Sequence, residues 1–372
     1  MSLELSQKPK KVLVVGGAGY VGCVIVKELL ERGYAVKILD RLFYGAIGLE
    51  EIKEKTEIII GDIRTFDPLI LDDVEAVINL SGLSNDPTAE YNPEANYEMN
   101  TLATAKLAQI CKQKGVKRFI FASSCSIYDV GETAEDKDVV LDETAVVAPT
   151  AAYSRSKYEA ERLLLAMQDQ NFCPVILRKG TVYGFSPRMR YDLVVNTFVK
   201  DALAKGKITL HYGGEMWRPL VEIRDVAKAY IAALQADQEK VSGQIFNVVY
   251  KNVRIAELGL QVQKVLRERN VAIEIFPDYT YRGVRNYRVS GKKMQSLLSI
   301  QPTISVEESV RHMLDNIQKY NYTDFDNPRY YNIKWMQFLE EADKIIKVTG
   351  SVFGVDQKAV ASSSYLQQRI QL

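Results

Sequence analysis

The chain has 372 residues, enough for two domains or one domain with an elaborated end, and is 47% hydrophobic and 26% charged, the balance of an ordinary globular protein. Its 48 basic residues meet 47 acidic ones, which leaves no excess charge to draw nucleic acid or an anionic membrane. Four scattered cysteines and two histidines argue against a disulfide framework and a metal site, and no early apolar run is long enough for a signal sequence or a membrane span, so the expectation is a cytoplasmic protein.

Short apolar runs recur along the first 184 residues: KVLVVGG from Lys11, AVKILD (Ala35–Asp40), EIIIGD (57–62), AVINLS (76–81), RFIFASS (118–124) and PVILRKG (174–180). Such Val/Ile/Leu-rich runs predict strands buried on both faces. Between them, YVGCVIVKELLERG, NTLATAKLAQICKQKG and SRSKYEAERLLLAMQD carry apolar residues at helical spacing. The alternation predicts an α/β fold, a doubly wound parallel (Rossmann) sheet over 1–184. After Gly184 the rhythm loosens into a smaller α/β domain over 185–325, from which QIFNVVY (244–250) returns as one more buried strand. Residues 326–372 read as a helix near IKWMQFLEEADKIIKV and a polar tail, an extension that either caps the second domain or meets a partner.

The first strand runs into GGAGYVG, with Gly16, Gly19 and Gly22 in G-x-x-G-x-x-G spacing around Tyr20 and Val21. Glycines between a buried strand and a helix permit a tight turn and let backbone N–H groups approach a pyrophosphate, so the loop points to a dinucleotide. Asp40 ends the second strand, where a carboxylate accepts from ribose hydroxyls and repels a 2′-phosphate, favouring NAD over NADP. Arg41 pulls the other way, since an arginine there pairs with that phosphate. Asp62 in GDIR is placed to meet the adenine, with Ile63 beside it and Leu80, at the end of the fourth strand, on the same cofactor wall.

Tyr153 and Lys157 stand four residues apart, on one face of the helix after the fifth strand, whose end carries Ser123 and Ser124. A second Tyr-x-x-x-Lys, Tyr330 to Lys334, lies outside the βα rhythm and reads as surface or packing. A phenol has a pKa near 10, and lowering it by about three units asks for about 4 kcal/mol of differential stabilisation. A neighbouring ammonium and an oxidised nicotinamide are expected to supply it. Tyr153 would then take the proton of a substrate hydroxyl while Ser124 hydrogen-bonds the same oxygen.

With GGAGYVG, GDIR, ASSCSIYD, YSRSK, LRKGTVYG and WRPLVEIRDVAKA in this order, the chain over roughly residues 10–320 resembles the extended short-chain dehydrogenase/reductases, specifically the NAD-dependent sugar-nucleotide epimerase/dehydratase family. The resemblance implies Ser124, Tyr153 and Lys157 as the catalytic set, with Lys157 also on the nicotinamide ribose and Asn100 holding the active-site helix near the cofactor. It implies a nucleoside-diphosphate sugar as substrate, gripped by Asn196, Arg218 and one of Arg282 or Arg285, with Ser84, Asn85 and Ser126 facing the sugar. Family 4,6-dehydratases carry Asp-Glu after the catalytic hydroxyl residue; here Cys125 and Ser126 stand there, which argues against dehydration. In a GDP-mannose 3,5-epimerase a cysteine of this loop, one place later, is an acid/base, so Cys125 is a further catalytic candidate beside its plainer reading as a packed thiol. The resemblance implies an NAD-dependent epimerase acting through a transient ketone at C4, and a homodimer. The alternatives are a nucleotide-sugar 4-dehydrogenase or 4-ketoreductase, a related enzyme on a steroid or phenolic ketone, and a dinucleotide-sensing scaffold.

Overall fold

The computed structural model describes residues 11–129, 139–280 and 285–350. Among them, seven strands build one parallel sheet: β1 (Lys11–Val15), β2 (Ala35–Asp40), β3 (Thr56–Ile60), β4 (Ala76–Asn79), β5 (Arg118–Ser124), β6 (Cys173–Lys179) and β7 (Gln244–Val248). Their order is β7-β6-β5-β4-β1-β2-β3. Val12 is in register with Val36 on one side and Ala76 on the other. The chain turns to opposite edges on either side of β1, and the crevice at the carboxyl ends of β1, β2 and β4 is where such sheets bind ligands.

The continuous apolar runs are explained by helices on both faces. The helices used below, on the sheet and beyond it, are α1 (Tyr20–Glu31), α2 (Asp86–Tyr91), α3 (Ala103–Gln113), α4 (Ala152–Ala166), α5 (Val194–Lys205), α6 (Ile223–Gln235), α7 (Ile255–Glu268), α8 (Val306–Lys319) and α9 (Asn332–Thr349). Val12 and Val14 join one core with Ile25 and Leu29 of α1 and Val226 and Tyr230 of α6, while Leu13 and Val15 join the opposite core with Leu107 of α3 and Leu164 of α4. The exception is β3. It is one of the two edge strands, and Ile60 is 72% exposed where burial on both faces was expected.

A third core gathers α5, α7 and α8 around Val199, Leu258, Val262 and Met313. The chain then adds an aromatic seam, with Tyr191 packed 5.3 Å from Phe325 and 5.0 Å from Tyr330. Tyr330 is therefore a packing residue, and the exposed Lys334 lies over the ring of Tyr331 at 4.5 Å. Among the described residues no helix is long and apolar enough to cross a membrane.

One buried ion pair ties β5, β6 and α4 together beneath the crevice. Arg178 Nη2 lies 2.6 Å from Glu161 Oε2 and its Nη1 donates to the Tyr128 hydroxyl at 2.8 Å, while Ser123 Oγ donates to Glu161 Oε1. Removing one member leaves an uncompensated buried charge. Arg178→Met is expected to destabilise the fold by about 3 kcal/mol or more, read as a drop in the urea midpoint; an unchanged midpoint would mean that the pair contributes nothing net to stability.

Candidate active site

The crevice is a cleft of about 350 Å³ whose floor is the glycine loop. Gly16 has φ +81°, and a Cβ there would sit 2.9 Å from the backbone nitrogen of Ser81; a Cβ on Gly22 would sit 2.3 Å from the carbonyl oxygen of Gly16. Only glycine lets β1 turn this closely into α1, whose N-terminal end faces the cleft with Gly19, Tyr20 and Val21 in its wall. Free N–H groups at a helix start make a ready anion site.

Asp40, Arg41, Asp62, Ile63 and Leu80 line the same cleft. Asp40 closes the loop by accepting from the N–H of Ala18 at 3.0 Å and of Leu42 at 2.8 Å, and burial raises its pKa above the usual carboxylate value. Arg41, the residue that argued for a 2′-phosphate, is committed elsewhere: its Nη1 lies 2.9 Å from Asp62 and its guanidinium 4.1 Å above Phe43. Asp62 is further held by Arg64 at 2.7 Å. The residues present fit a dinucleotide with free ribose hydroxyls, over a loop whose Gly16 and Gly22 leave no room for a Cβ.

At the other end Ser124, Tyr153 and Lys157 meet in the cleft wall. A chain of amides pins the first turn of α4: Asn96 Nδ2 donates to the carbonyl of Ala152 at 3.2 Å, Asn100 Nδ2 to Ser156 Oγ at 3.1 Å, and Thr101 Oγ1 to the carbonyl of Ser156 at 2.9 Å. Asn100 sits in a π-turn (Glu98–Leu102) that aims it at α4, and it lies behind the cleft rather than in its lining. Tyr153 does not show the lowered pKa expected of it. Burial pushes the phenol up to about 12, the nearby Asp86 adds to this, and Arg285, Arg190 and a hydrogen bond with Ser124 pull only partly back. Lys157, with its Nζ 4.8 Å from the Phe121 ring, is itself lowered by burial to about 8.

Several expected ligands are placed elsewhere. Cys125 is wholly buried, donates to the carbonyl of Arg178 at 3.2 Å and has its thiol pushed far up by burial, so it packs and does not reach substrate. Ser126 is buried too, its N–H donating to Ser124 Oγ and its hydroxyl accepting from Ser154. Asn196 spends its whole amide on the fold: Oδ1 accepts from the N–H of Gly184, and Nδ2 donates to the Tyr20 hydroxyl and the carbonyl of Arg190. Arg218 lies outside the lining and donates to the carbonyl of Trp217, close enough to Asp86 and Arg285 to feel their charge. Arg282 falls outside the described residues.

Ser84, Asn85 and Arg285 do line the cleft, and Arg285 is paired with Asp86 and, at 3.2 Å, with Asp129. The structure adds three residues that the sequence reading did not place there. Arg188 and Arg190 are buried and line the cleft, Arg190 paired with Asp192 at 2.8 Å. Lys179, read only as the end of a strand, lines it with its Nζ 3.1 Å from the carbonyl oxygen of Ser123; burial and the neighbouring Lys157 lower it to about 7.

The family described as "NAD dependent epimerase/dehydratase family" matches residues 12–248. A putative UDP-glucose 4-epimerase of Methanocaldococcus jannaschii is 29% identical over 321 residues, covering 84% of this chain and 100% of that protein. A UDP-N-acetyl-alpha-D-glucosaminuronate decarboxylase of Bacillus cytotoxicus is 25% identical over 320 residues, 82% of this chain and 97% of the relative. Among solved structures, a UDP-glucuronic acid 4-epimerase from Bacillus cereus in complex with UDP-glucuronic acid and NAD superposes with a TM-score of 0.71 at 24% identity, over 83% of this chain and 99% of the other.

Proposed function

Since the chain belongs to the NAD-dependent epimerase/dehydratase family, we propose that it is a nucleotide-sugar epimerase that oxidises a ring hydroxyl, at C4, to a ketone and reduces the ketone from its other face. The observation that carries this reading is the meeting of Tyr153, Ser124 and Lys157 at one end of a cleft whose other end is the glycine cradle. Bound NAD would accept the hydride of the carbinol carbon and give it back. Tyr153 holds and returns the hydroxyl proton, and Ser124 fixes the substrate oxygen beside it. Lys157 orients the cofactor ribose. Asp40 and the committed Arg41 support NAD over NADP. Arg285, in the cleft wall, supports a diphosphate there, arginine being the side chain suited to planar, bidentate phosphate binding. A sensor needs no proton-transfer set, and a neutral steroid or phenolic ketone offers Arg285 no anion to bind.

The test is to denature the purified protein, identify the nucleotide it releases, and incubate the native protein with UDP-sugars. The expected result is near-stoichiometric NAD and a C4-epimeric product of unchanged mass. An empty site with turnover only on added NAD(P) or NAD(P)H would instead assign a 4-dehydrogenase or 4-ketoreductase, and release of carbon dioxide a decarboxylase.

A further inference from the structure

Helix α9 lies in the extension to which the sequence assigned no single role. Asn332, 4% exposed, is bonded in three directions: its N–H donates to Asp192 Oδ2 at 3.1 Å, its Nδ2 to Ser84 Oγ at 2.9 Å, and its Oδ1 accepts from Arg188 Nη2 at 2.7 Å. One turn on, Trp335 Nε1 donates to the carbonyl of Phe43, and Met336 faces the cleft. Farther along, Glu340 accepts from the Tyr91 hydroxyl of α2. Phe43 follows β2 and Ser84 follows β4, and β1 with its glycine loop runs between those two strands. The helix therefore bridges the two rims of the crevice across the phosphate cradle.

Arg188 is the residue on which this bridge bears. It is 3% exposed, lies 3.6 Å above the ring of Tyr44, lines the cleft, and its Nε has no hydrogen-bond partner among the described residues. The nearest carboxylate of its loop, Asp192, is already taken by Arg190 and by the N–H of Asn332. A buried guanidinium with an idle donor is costly unless an anion meets it, and its planar fork suits phosphate oxygens.

We propose that α9 is the roof of the dinucleotide crevice: Asn332 holds Arg188 toward the diphosphate, and a bound dinucleotide leaves only when the helix lifts from Phe43 and Ser84. This rests on the dinucleotide reading of the glycine loop and on no choice of sugar. A retained cofactor is what an enzyme needs when it takes and returns one hydride within a single turnover.

The experiment follows NADH fluorescence as the full-length protein, without any sugar, releases NADH into excess NAD⁺. Trp335→Ala is expected to speed release at least roughly tenfold, and Asn332→Ala to weaken binding roughly tenfold, the worth of one charge-assisted hydrogen bond. Because Asn332 acts through Arg188, adding Asn332→Ala to Arg188→Ala is expected to weaken binding no further. Wild-type release from a folded Trp335→Ala protein, or additive effects of Asn332→Ala and Arg188→Ala, would overturn the proposal. Should Trp335→Ala not fold, the Asn332 and Arg188 cycle decides alone. A wild-type chain that binds no NADH removes the dinucleotide reading itself, and the roof with it, whereas failure of the epimerase assay leaves both standing.

Discussion

Replacing Tyr153 by Phe is expected to lower kcat by roughly 10²- to 10⁴-fold, the usual worth of a positioned acid or base, while the NAD content of the purified protein stays as in the wild type. The substitution removes one hydroxyl and leaves the ring packing at the start of α4. It also bears on a tension in the site, because burial holds this phenol at about 12. At pH 7 its ionisation in the chain alone is uphill by about 7 kcal/mol. Lys157 is not among the largest influences on Tyr153, and burial lowers it to about 8. Proton transfer at Tyr153 is therefore expected to depend on the positive nicotinamide and on a substrate hydroxyl that gives up its proton as its hydride departs. Because the phenol lies above its ordinary value, the ionised fraction grows as pH rises. The kcat/KM of the wild type should climb about tenfold per pH unit on the acid side, and that limb should vanish in the residual activity of Tyr153→Phe. Undiminished turnover in the variant would remove Tyr153 from the mechanism and turn attention to Lys179, the other cleft-wall group able to take a proton near neutral pH.

Where a feature is local and periodic, the amino-acid sequence carried it: the glycine loop, the strand runs, and the pairing of Tyr153 with Lys157 all follow from near-neighbour spacing. What it did not carry is set by long-range closure. Nothing near Arg188 announces burial, which arises because Asn332 returns from 144 positions away to meet it. The exposure of Ile60 follows from β3 standing at the sheet edge, a property of topology and not of the run itself. Cys125, Ser126 and Asn196 are of residue types suited to the chemistry assigned to them, but their side chains turn inward, and spacing along a loop does not encode that turn. Lys179 was hidden by its position at the end of an apolar strand, where a lysine reads as a solvent-facing terminus. Its carbonyl and hydroxyl partners, Ser123 and Tyr230, come from other elements.

Lys157→Met is expected to yield a more stable protein that turns over at least roughly a hundredfold more slowly. The ammonium of Lys157 is 4% exposed, and burial brings its pKa from 10.5 to about 8. Keeping it charged at pH 7 costs the fold about 3 kcal/mol. Methionine has a similar length and flexibility and no charge to desolvate, so the variant should gain up to that amount at neutral pH. The sign can be checked with pH. The folded value lies below the unfolded one, so between about pH 8 and 10.5 the unfolded chain binds more protons and wild-type stability rises with pH, while below 8 the full cost is present. The advantage of Lys157→Met should therefore be largest below pH 8 and shrink toward pH 10.5. Lys179, lowered to about 7, adds a slope of the same sign, but both proteins share it and it cancels in the difference. Denaturant melts of the two proteins at pH 7 and pH 10 measure that difference directly. A gap that stays constant with pH would mean that the ammonium is compensated in the folded state. A gap that closes, together with lost turnover, would mean that the chain carries this buried charge at the expense of its own stability because the reaction requires it.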